Sequence, residues 1–290
     1  MKFSLWTNHG ALNSKPVFTA FADSVVASGH DVVWNDPVSD VDVIWSVLWS
    51  GRMAKNKSIW QRNMEQSKPT VVLEVGGIRR GTTWKVGING INREAYFGES
   101  GNDSTRATKL GLSLRPWDLG GRDIILCGQH DRSHQWRDMP PMSKWILDTI
   151  KTIRAQTARP IIFRPHPRCR LPGIEHEFIN VKRQEPIKVP NSYDDFDFNL
   201  HNTYAVVSWT SNPGIHAVLN GVPAVVGPAS LAYDVAEHSV ENINNPNTPD
   251  RTQWLNDYAY TEWTVDEISS GQPLARLTPK LEELLIDKSV

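Results

Sequence analysis

Short runs of consecutive apolar residues alternate along the chain with stretches whose apolar positions recur every three or four residues. That alternation is the sequence mark of a parallel α/β sheet. In the first hundred residues strands are read at Lys2–Trp6, His30–Trp34, Val41–Ser46 and Pro69–Val75. Between them, a helix at Pro16–Ser28 carries Val17, Phe18, Phe21 and Val25 on one side and stops at Gly29. A second helix is read at Ser58–Gln66. Residues 98–122, rich in Gly, Ser, Asn and Arg, read as linker and loop. The pattern then restarts with a strand at Asp123–Cys127, a helix at Ser143–Gln156 and a strand at Pro160–Phe163. An acidic segment, Asp194–Asn199, precedes a strand at Tyr204–Val207. A short helix closed by Asn220-Gly221 and a strand at Pro223–Val226 follow. Helices near 250–259, 264–270 and 278–287 finish the chain. The expected domains are 1–115, 116–275 and a C-terminal helix, 276–290, packing back on the first.

Bulk properties narrow the class. At 290 residues with 39% hydrophobic and 22% charged positions, the chain is long enough for two ordinary α/β domains. No apolar run reaches the ~18 residues of a membrane span, and Met-Lys-Phe-Ser-Leu-Trp reads as a strand start, not a signal peptide. Cys127 and Cys169 lack metal-ligand spacing, which places the expected compartment in the reducing cytoplasm. Twelve Trp are spent on core packing or on an interface. There is no Walker loop, no His/Glu zinc motif and no Gly-x-Ser-x-Gly elbow. Charge is unevenly placed. Residues 1–113 hold 13 Lys/Arg against 10 Asp/Glu, residues 114–185 hold 13 against 8, and residues 186–290 hold 5 against 14. A basic front suits an anionic ligand, and the acidic back equally serves solubility.

Two segments carry candidate chemistry. Ser208-Trp-Thr-Ser-Asn-Pro-Gly-Ile-His216 joins a buried strand to a helix through a turn holding Ser208, Thr210, Ser211 and Asn212. Pro213 suits the first helical turn. Hydroxyls at a helix N-terminus, at the carboxyl end of a parallel strand, form an anion site; the plain alternative is an N-cap. Pro160-Ile-Ile-Phe-Arg-Pro-His-Pro-Arg-Cys-Arg170 ends a strand in Arg164, His166, Arg168 and Arg170. Guanidinium forks match phosphate oxygens, and a histidine there donates to phosphate or acts as an acid. Alone, this is also a solvated basic loop.

Taken together, these residues resemble the donor-binding half of GT-B glycosyltransferases. The closest likeness is to the His-Pro group, which includes capsule Kdo transferases and bacterial sialyltransferases. The tail Trp254-Leu-Asn-Asp-Tyr-Ala-Tyr-Thr-Glu-Trp-Thr-Val-Asp-Glu-Ile-Ser-Ser-Gly271 is similar to that of capsule-type and small phage glycosyltransferases. The likeness covers roughly residues 123–275. It implies two Rossmann-like domains facing a central cleft, and a nucleotide phosphate held by His166, Ser208, Thr210 and Ser211. It also implies a nucleotide-sugar donor, UDP-linked ahead of CMP-linked, and no metal. The sialyltransferase pair of acids before a glycine is not evident at a matching place.

The remaining site expectations come from the residues. Gly128, Gln129, Asp131, Arg132, Arg164 and Asn212 complete the donor set. The base is expected at Glu74, which ends a buried strand before Gly76-Gly77, with Asp36 as runner-up; a Glu74 ion pair with Arg79 or Arg80 is the structural alternative. Asn13 is expected to admit the acceptor. Arg79, Arg80, Lys85 and Arg93, interleaved with Trp84, suit a phosphate backbone and a stacked base, or simply form a charged surface. With the short chain, the basic front half and the likeness of the tail to phage glycosyltransferases, the leading acceptor is the hydroxymethyl group of 5-hydroxymethylcytosine in double-stranded phage DNA. A capsule or lipopolysaccharide saccharide is the alternative. A non-catalytic nucleotide-sugar or nucleic-acid binding module and a sugar epimerase complete the field.

Overall fold

The computed structural model describes residues 1–192 and 195–287. In chain order the elements are β1 (Lys2–Leu5), α1 (Lys15–Ala27), β2 (Asp31–Trp34), β3 (Val41–Trp45), α2 (Asn56–Glu65), β4 (Thr70–Val75) and β5 (Trp84–Ile88). Then follow α3 (Thr105–Lys109), β6 (Asp123–Cys127), α4 (Met142–Gln156), β7 (Ile161–Arg164), β8 (Val181–Arg183), β9 (Thr203–Val207), α5 (Asn212–Leu219) and β10 (Ala224–Val225). The last elements are α6 (Thr252–Tyr258), β11 (Glu262–Trp263), α7 (Val265–Ser269) and α8 (Gln272–Ile286). They form two compact units. Unit 1 takes residues 1–102, 132–134 and those from Asp257 on; unit 2 takes 103–131 and 135–256.

Unit 1 is built on a six-stranded sheet of order β11-β5-β4-β3-β1-β2. Strands β1 to β4 are parallel, and β5 runs antiparallel to both β4 and β11. The period-two alternation of the strands feeds two faces. Phe3, Leu5, Val43, Trp45, Leu73 and Trp84 share a core with Phe18 and Phe21 of α1, Ile268 of α7 and Leu274 and Leu277 of α8. Ile44 and Val72 pack instead with Ile59 and Trp60 of α2.

Unit 2 has five strands, all parallel, in the order β10-β9-β6-β7-β8. Counted from β6, that is the doubly wound order 3-2-1-4-5, whose reversal lies between β6 and β9. Ile146, Ile150 and Ile153 of α4 fill one face against Ile124, Leu126, Phe163 and Val207.

Three strands and one helix escape the sequence pattern. β8 and β11 are only three and two residues long, β5 lies where a basic surface is expected, and α3 lies inside the expected linker. The expected domain limits also shift. The chain rejoins unit 1 at Asp257, not near 276, because β11 hydrogen-bonds to β5 and α7 packs on α1. Asp194 of the acidic segment and residues 288–290 of the expected terminal helix lie outside the described residues. Among the described residues, no helix is long and apolar enough to cross a membrane.

Cys127 ends the central strand of unit 2 and is fully buried, which pushes its thiol from near 9 up to about 12. A folded-state value raised above the unfolded one means stability is lost as pH rises from about 9 towards 12. Cys127 is therefore expected to resist an aromatic disulfide reagent at pH 8 in the native protein and to react on unfolding in urea. Native-state reactivity would contradict this burial.

Candidate active site

At the carboxyl ends of β6, β7 and β9 in unit 2, three turns are held together by side-chain and backbone contacts. Gly128 N donates to Arg164 O at 2.8 Å, and a Cβ on Gly128 would sit 3.3 Å from His166 N and 3.5 Å from Pro165 Cα. The absence of a side chain lets the β6 turn lie against the His-Pro turn. Gln129 is buried and its Oε1 accepts from Thr210 N at 3.0 Å and from Thr210 Oγ1 at 2.9 Å. One amide thus ties the β6 turn to the β9–α5 turn across the point where the strand order reverses.

Beside that tie, Ser208 Oγ and Ser211 Oγ are buried and have no hydrogen-bond partner among the described residues. Ser211 is the N-cap of α5 yet its hydroxyl makes no capping bond. Leaving a buried hydroxyl unpaired costs about 1–3 kcal/mol, which makes the pair a candidate for binding an external hydrogen-bond acceptor. Gly214, in the first turn of α5, keeps the space over Ser208 open: a Cβ there would meet Ser208 Oγ at 2.7 Å. Asn212 begins α5 at the same turn.

His166 is half-buried, and its Nδ1 accepts from Arg168 N at 3.1 Å. A ring nitrogen that accepts a backbone N–H carries no proton, so neutral His166 holds its proton on Nε2 as a donor. His130, in the same loop as Gln129 and Asp131, lies edge-on to His166 with ring centroids 5.3 Å apart. Its Nδ1 faces Asp131 Oδ1 at 3.4 Å.

Two expected donor ligands make other contacts. Arg164 is buried, and its guanidinium is taken up by Asp197, through the backbone oxygen at 2.5 Å and Oδ1 at 3.0 Å. It anchors the loop before β9. Arg132 belongs to unit 1: its carbonyl accepts from Trp49 N at 3.1 Å, Ser133 bridges Leu48, and the His134 ring packs against Trp60 and Trp49.

In unit 1, Glu74 is half-buried near the end of β4. Its carboxylate accepts from Ser46 Oγ and, at 2.7 Å, from Val75 N. Among the described residues these donors, not Arg79 or Arg80, take up its oxygens. Ser46 itself adopts a left-handed conformation, φ 66°. Asp36 lies past the edge strand β2, where Oδ1 closes a local turn by accepting Val38 N at 2.8 Å. With β1 and β3 between their strands, Asp36 and Glu74 are about 14 Å apart by strand spacing, too far to serve one hydroxyl.

The expected polyanion surface is corrected. Trp84 is 6% exposed and packs on Trp45 with ring centroids 5.7 Å apart. Lys85 is 4% exposed and its Nζ donates to Ile91 O at 3.2 Å. Both lie on β5, between β4 and β11, so neither is presented to a phosphate or a base. Burial depresses the Lys85 ammonium below the usual lysine range, opposed by Glu262 and Glu74. Arg79 and Arg93 are exposed and Arg80 is half-buried. Asn13 lies just before α1, with both amide atoms buried and without partners among the described residues.

Glu262, within the Tyr-Thr-Glu-Trp tail, is not among the expected site residues. It is fully buried and accepts from Gly77 N at 2.6 Å, Ile78 N at 2.9 Å and Thr83 Oγ1 at 2.7 Å. It thereby fixes the turn that follows Glu74. The signal available was an isolated acid between Thr261 and Trp263 with no sequence neighbour to pair it.

The fold, two α/β units with the helix and strand order above, is that of GT-B glycosyltransferases. It is similar to a solved structure of Thermosulfurimonas dismutans KpsC, beta Kdo 2,4 transferase, with TM-score 0.54 and 12% identity over 98% of each chain. It is also similar to the beta Kdo 2,7 transferase of KpsC from the same organism, with TM-score 0.52 and 14% identity over 95% of this chain and 99% of that one. No protein-family model matches the sequence, and no curated protein matches it.

Removing the Gln129 tie leaves two buried donors of Thr210 without an acceptor. Gln129→Ala is expected to cost about 1–3 kcal/mol in urea denaturation, while Gln129→Glu, which keeps an acceptor oxygen, costs less. Equal losses in the two variants would contradict the assigned bond.

Proposed function

We propose that the chain is a nucleotide-sugar-dependent glycosyltransferase that moves a sugar to a hydroxyl of a carbohydrate acceptor. The observation that carries the reading is the pair of unpartnered hydroxyls, Ser208 and Ser211, at the α5 N-terminus where the strand order reverses. A phosphate there gains two hydroxyl donors, the helix N-terminus and the Nε2–H of His166. In the reaction the bond from the anomeric carbon to the phosphate oxygen breaks, and the electron pair leaves with the phosphate. Stabilising that charge is the largest task, and the reading assigns it to these protein groups with no role for a metal. Glu74 takes the proton of the acceptor hydroxyl as the new bond to the anomeric carbon forms. Asp131, through His130, orients the imidazole pair.

The carbohydrate acceptor is preferred over DNA for two reasons. Trp84 and Lys85, expected to meet a nucleic acid, are internal to the unit 1 sheet. Two proteins of like fold are Kdo transferases. Nucleotide sugars are cytoplasmic metabolites, and the reading places the protein with them.

His166→Ala is expected to lower turnover about 100-fold or more; near-native turnover would remove His166 from the mechanism. Ser211→Ala is expected to weaken nucleotide-sugar binding by about 1 kcal/mol or more in calorimetry. The deciding experiment is mass spectrometry after incubation with a panel of CMP- and UDP-sugars. The acceptors are a Kdo-terminated oligosaccharide and a duplex containing 5-hydroxymethylcytosine. A mass gain on the oligosaccharide supports the reading, and a gain on the duplex alone replaces it with the DNA acceptor. Nucleotide-sugar binding with no transfer and no hydrolysis makes the chain a binding module.

A further inference from the structure

Glu74, Lys85 and Glu262 come from three strands yet stand in register. Lys85 of β5 is the cross-strand partner of Glu74 on β4 and of Glu262 on β11. Directly opposed residues share a sheet face with Cβ atoms about 4.5–5.5 Å apart, so one face carries a row of carboxylate, ammonium and carboxylate. Glu262 also closes the turn after Glu74, through Gly77 N, Ile78 N and Thr83 Oγ1. Gly76 has no room for a Cβ, which would collide with Glu262 Oε2 and Thr83 O. Three of the next four residues after Glu74 are therefore fitted around one buried carboxylate from near the far end of the chain.

We propose that Glu262 and Lys85 are positioning residues for Glu74, Glu262 fixing the turn that follows it and keeping the buried Lys85 charged beside it. The proposal rests on Glu74 being the base. Neither residue touches substrate in this scheme. A buried ammonium is unstable without a compensating carboxylate, and Glu262 is the strongest of the groups that act on Lys85 against burial, ahead of Glu74 and Glu94, with Arg80 acting in the opposite direction. Loss of the Lys85 proton would leave Glu74 and Glu262 facing across a neutral amine, which favours a displaced Glu74. Turnover should then fall as pH rises through the Lys85 titration.

The test combines kinetics with a titration that needs no turnover. Release of CMP from CMP-Kdo in the presence of a Kdo-terminated oligosaccharide is followed across pH for the native protein, Glu74→Gln and Glu262→Gln. Lys85 is titrated by NMR in protein carrying ¹³C at the lysine Cε. Glu262→Gln is expected to lower kcat by at least about tenfold, as for a misplaced catalytic group, with KM for CMP-Kdo within about twofold. Its basic limb and its Lys85 titration both move to lower pH, and the Gly77 and Ile78 amides exchange faster with solvent. If Glu262→Gln leaves kcat and the Lys85 titration unchanged while Glu74→Gln is inactive, the positioning proposal is overturned and the base stands. Full turnover by Glu74→Gln removes the base and the proposal together. Should Glu262→Gln not fold, Lys85→Met carries the test. A fall in kcat with KM kept and the basic limb abolished supports the proposal, and an unchanged profile overturns it.

Discussion

The reversal of strand order between β6 and β9 is the constraint on which the candidate donor site depends. Loops leaving two parallel neighbours on either side of a reversal turn to opposite faces of the sheet and leave a crevice between them. In unit 2 that crevice is spanned by the Gln129 side chain, whose amide oxygen receives both donors of Thr210. With the two turns fixed in this way, the hydroxyls of Ser208 and Ser211 are buried without partners among the described residues, and the His-Pro turn is held against the β6 turn at Gly128. A rigid tie beside unsatisfied polar atoms is the arrangement expected of a preorganised anion site, in which the cost of orienting the donors is met during folding.

Unit 1 solves a different problem. In the proposed reaction, the carboxylate that accepts a proton must be kept from pairing permanently with a cation. Glu74 has an ammonium as cross-strand neighbour, but that ammonium is shared with a second carboxylate and is bonded to a carbonyl. Its own oxygens are occupied by a hydroxyl and an amide, both neutral donors. Neutral donors therefore fix the geometry of the Glu74 carboxylate.

Much of this was legible in the chain because it is local. The strands of unit 2, the α5 N-terminus and the His-Pro turn follow from apolar runs, Pro213 and short spacings. Glu74 at the end of a buried strand was visible for the same reason. What was not legible is non-local pairing. β5 carries Trp84 and Lys85, which look like an exposed aromatic and basic pair until β11, some 180 residues later, covers that edge. Glu262 gave no sign of its bonds to Gly77, Ile78 and Thr83, since these lie far from it in sequence. Arg164 looked available for phosphate because Asp197, 33 residues away, is invisible to a reading by neighbourhood. A two-residue strand such as β11 is too short to show a period at all.

The division of the chain also bears on how it is made. Unit 1 receives residues 132–134 from the middle of the chain, and β11, α7 and α8 from its end. A ribosome releasing the first 102 residues therefore delivers a sheet whose β5 edge is open, with Trp84 lacking its neighbour Trp263, an arrangement that invites pairing with other chains. Unit 2, nearly contiguous from Asp103 to Asn256, has all of its own residues first. The N-terminal unit is the last to be completed, so the usual order of folding during synthesis is inverted, and a chain cut short before Glu262 loses the β11 edge of the sheet and the closure of the turn after Glu74 together.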